Sequence, residues 1–208
     1  MVLMISTMTD SDADSTKLQM QLAKDYRQLS HIDQKIVQLF SVIYEPINRT
    51  SFMNCLNQIG TLDENNKPFI NKSLSRHIDG LLAAGLLVQS SGQGPKCHPL
   101  ITEIATRDAV KAGYFEILAT SVSKVLPISS GYASGTRYFQ SERQFIREVR
   151  IGFYRHDPNF INKQIEDYQK YSQSNKISVN KIFEQICNNQ ILHSWSQSPQ
   201  KSQERAKD

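Results

Sequence analysis

The chain has 208 residues, 39% of them apolar and 21% charged, which is the composition of a globular protein with one ordinary domain or two small ones. Its three cysteines are far apart and odd in number, so a disulfide framework is not expected. No run of apolar residues approaches the roughly 20 that cross a bilayer, and the first residues lack the basic start of a secretory signal. These features predict a cytoplasmic protein that has no membrane partner.

The net charge of +4 is unevenly distributed along the chain. Residues 31–136 carry nine basic and eight acidic side chains, whereas residues 137–208 carry twelve and eight. A strong nucleic-acid binder usually concentrates Lys and Arg on its contact surface. The near-neutral first region therefore weighs against DNA binding there without excluding it.

Three helices are predicted in the first half of the chain. Apolar residues recur at helical spacing over 32–44 and 49–59, and a proline and a glycine follow these segments as helix stops. The third helix is expected to continue to Ala84 and to begin with Asn71 or Ser73 as its N-cap. All three segments have an apolar face that can pack in a common core.

A short β-hairpin is predicted after the third helix. Residues 86–89 and 96–98 have the pattern of two strands, and the Ser- and Gly-rich segment between them has the composition of a turn. Helical spacing resumes after Pro99, with one interruption at Gly113. The order helix, helix, helix, hairpin, helix predicts a mainly α-helical domain over 30–126 of the winged helix-turn-helix class, followed by a helical C-terminal half.

Other segments flank this predicted domain. Residues 1–29 are expected to be disordered up to about residue 15 and to form a short helix after it. Residues 127–137 are rich in Ser and Gly and predict a linker. A helical hairpin region is expected over 138–192 and a disordered tail over 193–208. Its three predicted helices lie at about 138–155, 159–172 and 178–190.

The segment NKSLSRHIDGLLAAGLL, residues 71–87, has the most specific local pattern of the chain. It resembles the recognition helix and first wing strand of bacterial winged-helix transcription regulators. In such domains one face of the helix packs on the preceding helices and the other enters the DNA major groove. The resemblance implies double-stranded DNA as the partner. The candidate contact residues on the free face and at the helix start are Asn71, Lys72, Ser73, Ser75 and Arg76.

Two features near this helix weigh against DNA contact. Asp79 lies on the free face, where a carboxylate would repel phosphates, unless it pairs with Arg76 three residues earlier. The hairpin turn offers only Lys96 as a fixed cation, although its glycines would let the backbone approach a phosphate closely. An ordinary solvated helix face and a plain hairpin turn are therefore the alternatives.

A second basic surface is predicted in the C-terminal half. Arg143, Arg147 and Arg150 recur at helical spacing, away from an apolar stripe that includes Phe145 and Val149. Three arginines on one helix face are candidates for binding a phosphate backbone or an acidic protein partner. A solvated face whose arginines pair with neighbouring glutamates is the alternative.

The sequence carries no signature of an enzyme. It has no phosphate-binding loop, no nucleophile elbow and no zinc-protease helix, and its Cys and His residues are too scattered for a metal site. Cys97 and His98 are adjacent, but neighbours on a strand point to opposite faces, which favours a structural cysteine. We therefore expect a non-catalytic protein without a cofactor or metal.

A second resemblance spans more of the chain. It rests on the order of three segments: the winged-helix pattern, then residues 97–119, then residues 143–158. This order resembles the region that precedes the ATPase core in bacterial Swi/Snf-type helicase-like proteins. In those proteins such segments act as accessory modules. This sequence has no helicase motifs, so the resemblance implies an accessory role and no ATPase activity of its own.

Two functions of different classes follow from the sequence. The first is a DNA-associated winged-helix module that acts in transcription regulation or beside a DNA-acting ATPase and binds electrostatically. The second is a protein–protein interaction adaptor in which the winged helix is structural and binds no nucleic acid. The pattern of residues 71–87 favours the first, and the near-neutral charge of 31–136 favours the second. Helices over 100–126 could form a homodimer, or their apolar face could be intramolecular core.

Overall fold

The computed structural model describes residues 10–130 and 137–171. This part of the chain is mainly helical and contains two small antiparallel sheets of two strands each. The helices are α1 Asp10–Gln28, α2 His31–Ile43, α3 Arg49–Gln58, α4 Asn71–Ala83, α5 Pro99–Lys111, α6 Phe115–Val125, α7 Glu142–Arg155 and α8 Pro158–Tyr171. The strands are β1 Leu87–Val88, β2 Lys96–Cys97, β3 Ser129–Ser130 and β4 Arg137–Tyr138.

Polar side chains set the starts of three helices. The Ser30 hydroxyl accepts a hydrogen bond from the Asp33 amide at the start of α2, and Asn48 accepts one from the Ser51 amide at the start of α3. Ser141 does the same for α7. Each cap satisfies an amide that has no partner within its own helix. The helix starts are therefore encoded locally.

The main hydrophobic core is built around α2. Ile36, Leu39 and Phe40 of this helix are fully buried, and the Phe40 ring stacks on Phe52 of α3 with centroids 3.8 Å apart. Residues from α1, α4, α5 and α6 complete the core, and Ile151 of α7 joins it. The apolar faces of α5 and α6 are therefore intramolecular core.

The hairpin of β1 and β2 is tied to the connection between α2 and α3. In the hairpin, Leu87 pairs with Cys97. The Ile47 amide donates a hydrogen bond of 3.2 Å to the Pro95 carbonyl. At Gly94 an added Cβ would lie 2.1 Å from the Ile47 carbonyl oxygen, so this close approach requires glycine. The hairpin and the helices before it thus form one packed unit.

Helix α7 connects this unit to α8. A second apolar cluster consists of Phe145, Ile146, Val149 and Tyr168. The Phe145 and Tyr168 rings stack with centroids 4.2 Å apart. Since Ile151 lies in the main core, α7 is buried on two sides. The predicted C-terminal helices therefore share buried surface with the first half of the chain.

The predicted order of helices and hairpin from 31 to 125 agrees with α2 to α6. One prediction at the flanks is wrong. Helix α1 begins at Asp10 and not near residue 16, because packing of its later turns nucleates a helix that extends at little cost. Strand β3 lies within the predicted linker and pairs with β4, and Phe139, which follows β4, contacts Phe145 and Tyr168 edge-on.

Several predictions lie outside the described residues. These are the disorder of residues 1–9, the middle of the linker, the helix at 178–190 and the tail at 193–208. Within the described residues, no helix has both the length and the apolar character needed to span a membrane.

Candidate nucleic-acid interface

Helix α4 presents one apolar and one polar face. Leu74 and Ile78 are buried against the preceding helices, whereas Asn71, Lys72 and Arg76 are exposed. Lys72 and Arg76 are four residues apart and therefore share a face. In the part of the chain that the structure describes, neither of these side chains forms a hydrogen bond or an ion pair. Two predicted contact residues are thus available to a ligand.

The predicted helix start differs from the observed one. Ile70 occupies the N-cap position, and Asn71 is already the first helical residue. The Ser73 hydroxyl accepts a hydrogen bond from the Ile70 amide at 3.2 Å and is buried. The prediction of Asn71 or Ser73 as the N-cap is therefore wrong, because the Ser73 side chain satisfies the Ile70 amide from within the first turn. In this arrangement Ser73 is not accessible to DNA.

Ser75 and Asp79 are held by Arg49, at the start of α3. The Arg49 guanidinium donates to the Ser75 hydroxyl and to the Asp79 carboxylate, both at 2.6 Å. The predicted pairing of Asp79 with Arg76 is wrong, because Arg49 at the start of α3 reaches Asp79 of α4. This contact partly neutralises the carboxylate, and it leaves Arg76 uncompensated.

His77 links α4 to two other segments. Its Nδ1 atom lies 2.7 Å from Asp33 of α2, and its Nε2 atom lies 3.0 Å from Glu64 without hydrogen-bond geometry. The hydrogen bond to Asp33 and the negative charges of Asp33 and Glu64 raise the pKa of His77, and burial opposes this shift. This contact fixes α4 against α2.

Arg147 does not lie on a basic surface. Its side chain is fully buried, and its guanidinium donates to Glu45, to Glu148 and to the carbonyl oxygen of Leu126. The prediction that Arg147 is exposed for phosphate binding is wrong. Glu148 is the next residue of α7, so pairing with a neighbouring glutamate, the alternative from the sequence, is found at Arg147. Its other partners come from the connection after α2 and the end of α6, which no spacing within α7 reveals.

Arg150 is also buried, so the same prediction is wrong for it. It donates to Glu103 of α5 at 3.3 Å, and its guanidinium lies 4.6 Å from the centre of the Tyr44 ring. Tyr154 donates to the same Glu103 carboxylate. A buried arginine is stabilised by such a paired carboxylate and aromatic face, and these contacts leave it no free donor face for DNA.

Lys96 and Arg143 are the remaining predicted cations. The structure brings them together, since both line one cavity between β2 and the start of α7. The predicted residues therefore divide into three groups. Asn71, Lys72, Ser75 and Arg76 are exposed or half-buried on α4, Lys96 and Arg143 line the cavity, and Ser73, Arg147 and Arg150 are buried.

The Cys97 and His98 pair has structural roles. Burial raises the pKa of Cys97 to about 12, so the thiol remains protonated near neutral pH. His98 caps α5, where its Nδ1 atom accepts a hydrogen bond from the Leu100 amide at 3.2 Å. Among the residues that the structure describes, no cluster of His, Cys, Asp and Glu could hold a metal ion.

Two residues beside the candidate interface were not predicted from the sequence. Arg49 contacts the exposed face of α4, and Glu64 lies in the loop that precedes the helix. No local signal marks either residue as a contact of α4. The predicted helix-turn-helix order places the start of α3 near α4, and that is the one indication for Arg49.

Comparisons of the chain with models of known protein families, with curated proteins and with solved structures find no match.

Proposed function

We propose that residues 31–98 form a winged helix-turn-helix and that the protein is a DNA-associated module with α4 as its recognition helix. Its role would be transcription regulation or an accessory function beside a DNA-acting ATPase. The observation that carries the proposal is the exposed face of α4, where Lys72 and Arg76 share one side and have no ion-pair partner among the described residues. Uncompensated cations on an exposed helix suit a polyanion.

The packing of α4 supports the proposal. A recognition helix has to be rigid, and α4 is held by the Arg49 contacts on α3 and by the His77 contact to Asp33 on α2. Its apolar residues are buried at the same time. The hairpin follows directly and is tied to the helices by the hydrogen bond between Ile47 and Pro95. Only the polar face remains free for a groove.

The test is the fluorescence anisotropy of a labelled random duplex of about three helical turns, titrated with the full chain from about 50 mM to about 200 mM salt. We expect binding that weakens steeply with salt. The double variant Lys72→Ala/Arg76→Ala should bind more weakly and should reduce the slope of log K against log salt by about 2.

A matched control removes two charges elsewhere. Lys17 and Lys24 are exposed on α1, so the variant Lys17→Ala/Lys24→Ala has the same net charge as the α4 variant. We expect it to keep the wild-type slope. Equal loss in both double variants would mean that DNA responds only to net charge, and absence of binding at low salt would reject the proposal.

The adaptor hypothesis is the second candidate because of apolar surface beside α4. Ile70 is 60% exposed and Leu62 is 42% exposed, and both lie in the segment that leads into the helix. Exposed apolar side chains next to a helix face favour a protein partner. If duplex DNA does not bind, the variant Ile70→Ser should weaken capture of such a partner, whereas Lys72→Ala should have little effect.

A further inference from the structure

A cavity of about 260 Å³ lies between β2 and the first turns of α5 and α7. Its lining includes Tyr44, Lys96, Thr102, Glu142, Arg143 and Ile146. Pockets for drug-sized ligands span about 300–1,000 Å³ and combine an apolar wall with a few convergent polar groups. This cavity lies just below that range, so it suits a ligand smaller than a drug-sized molecule.

Two cations of the lining have no direct partner among the described residues. Within residues 10–130 and 137–171, Lys96 and Arg143 form no hydrogen bond or ion pair through their side chains. Arg147, one turn further along α7, has two carboxylate partners. The buried Arg147 thus has direct carboxylate partners, whereas Arg143 feels the charge of Glu45 without a direct contact and keeps its donors available to a ligand.

Glu142 of the lining also has a carboxylate oxygen without a direct partner in the described part of the chain. The Oε1 atom of Glu142 is shielded from solvent and has no hydrogen-bond partner among the described residues. A carboxylate oxygen that is removed from water without a donor is destabilising. A ligand that offers an N–H donor at the cavity would relieve this cost.

We propose that the cavity binds a small zwitterion with one carboxylate and one ammonium group, of the α-amino acid class. The ligand carboxylate would lie between Lys96 and Arg143, since a guanidinium pairs well with a carboxylate. The ligand ammonium would lie at Glu142. Tyr44 and Ile146 provide apolar surface for the remainder of the ligand.

The mixture of charges selects this class over simpler ions. An inorganic phosphate or a DNA backbone would meet the two cations but would be repelled by Glu142. A simple amine would meet Glu142 but would be repelled by Lys96 and Arg143. A zwitterion satisfies all three groups at once. The site does not depend on DNA binding by α4.

The test is the thermal unfolding of the full chain with each standard L-amino acid at about 10 mM, followed by calorimetric titration of any that stabilises it. We expect at least one free amino acid to raise the Tm by a few degrees. Its N-acetyl derivative, which lacks the ammonium group, and inorganic phosphate should have no such effect. Binding should weaken at least tenfold in Glu142→Gln and in Arg143→Gln.

The control variant is Glu166→Gln, which removes a charge from the exposed side of α8 and should leave the Kd unchanged. If Glu142→Gln does not fold, Lys96→Gln tests the other half of the site. The proposal is overturned if no free amino acid shifts the Tm, or if phosphate or the acetylated form binds equally well. Because no DNA is present, these results are distinct from a failure of the proposed function.

Discussion

Helices α4 and α7 both carry basic residues at helical spacing, and the structure uses them in opposite ways. On α4 the cations Lys72 and Arg76 are exposed and have no ion-pair partner among the described residues. On α7 the cations Arg147 and Arg150 are buried and paired with carboxylates. The same periodic pattern thus produces an open face in one helix and a buried polar network in the other.

The difference comes from what packs on each helix. Helix α4 has one covered side, whereas α7 lies between the main core and α8 and has two. An arginine that is buried on the second covered side needs a carboxylate partner. Glu45 and Glu103 provide these partners from distant parts of the chain. A helical wheel shows which residues share a face, but it does not show how many faces are covered.

The largest expected effect comes from breaking the buried network. Arg147→Ala leaves Glu45 and Glu148 without their partner and should reduce the free energy of unfolding by about 3–5 kcal/mol. Arg143→Ala, on the same helix but exposed, should change it by no more than about 0.5 kcal/mol. Urea denaturation measures both. Equal small effects would show that α7 is a solvated basic helix, as its sequence suggested.

Two glycine substitutions test the packing of the first hairpin against the helices before it. Gly94→Ala places a Cβ against the Ile47 carbonyl and should destabilise the fold by about 1–3 kcal/mol. Gly80→Ala is the matched change within α4, where a Cβ meets nothing within 4 Å. It should stabilise the protein by about 1 kcal/mol, since alanine is the better helix former. Thermal or urea unfolding would contradict the packing described if both changes had the same sign.

Asp79→Asn tests whether the charge of the exposed α4 face controls DNA binding. The carboxylate is removed and Arg49 loses its ion pair, so the α4 face becomes more positive. Because the pair is largely exposed, stability should change by less than about 1 kcal/mol. DNA affinity should rise severalfold in the anisotropy titration. Unchanged or weaker binding would mean that this face does not meet phosphates.

The smallest effect is a pH dependence that belongs to α4. The pKa of His77 is raised in the folded state, chiefly by its hydrogen bond to Asp33. Its contribution to stability is therefore fully present below the unfolded pKa of about 6.5 and is lost as pH rises through the folded pKa. The stability difference between wild type and His77→Gln should shrink from pH 6 to pH 9. A difference that grows over this range would mean that folding lowers the pKa of His77 instead of raising it.

Local patterns predicted much of the fold. The helices α2 to α6 and the first hairpin follow from apolar spacing, helix stops and turn residues that lie within a few positions of each other. The N-cap of α4 was missed, because Ser73 serves Ile70 from inside the helix. The pairing of β3 with β4 was not predicted, because a Ser- and Gly-rich sequence gives no sign that Phe139 packs against Phe145 beside these strands.

The candidate site was less predictable than the fold. Lys72 and Arg76 are exposed as their spacing indicated, but Arg49, which orders the same face, is far away in the sequence. The grouping of Lys96 with Arg143 depends on how α7 packs beside the hairpin. Charge partners across the tertiary structure decide which cations remain free, and a single sequence does not specify those partners.

The most direct test of the central claim compares α4 and α7 in one experiment. Wild type, Lys72→Ala/Arg76→Ala and Arg143→Ala are titrated against the same duplex over the same salt series. The prediction is that the α4 variant loses about 2 from the salt slope and that Arg143→Ala keeps the wild-type slope. A loss confined to Arg143→Ala, or no salt-dependent binding in wild type, would contradict it.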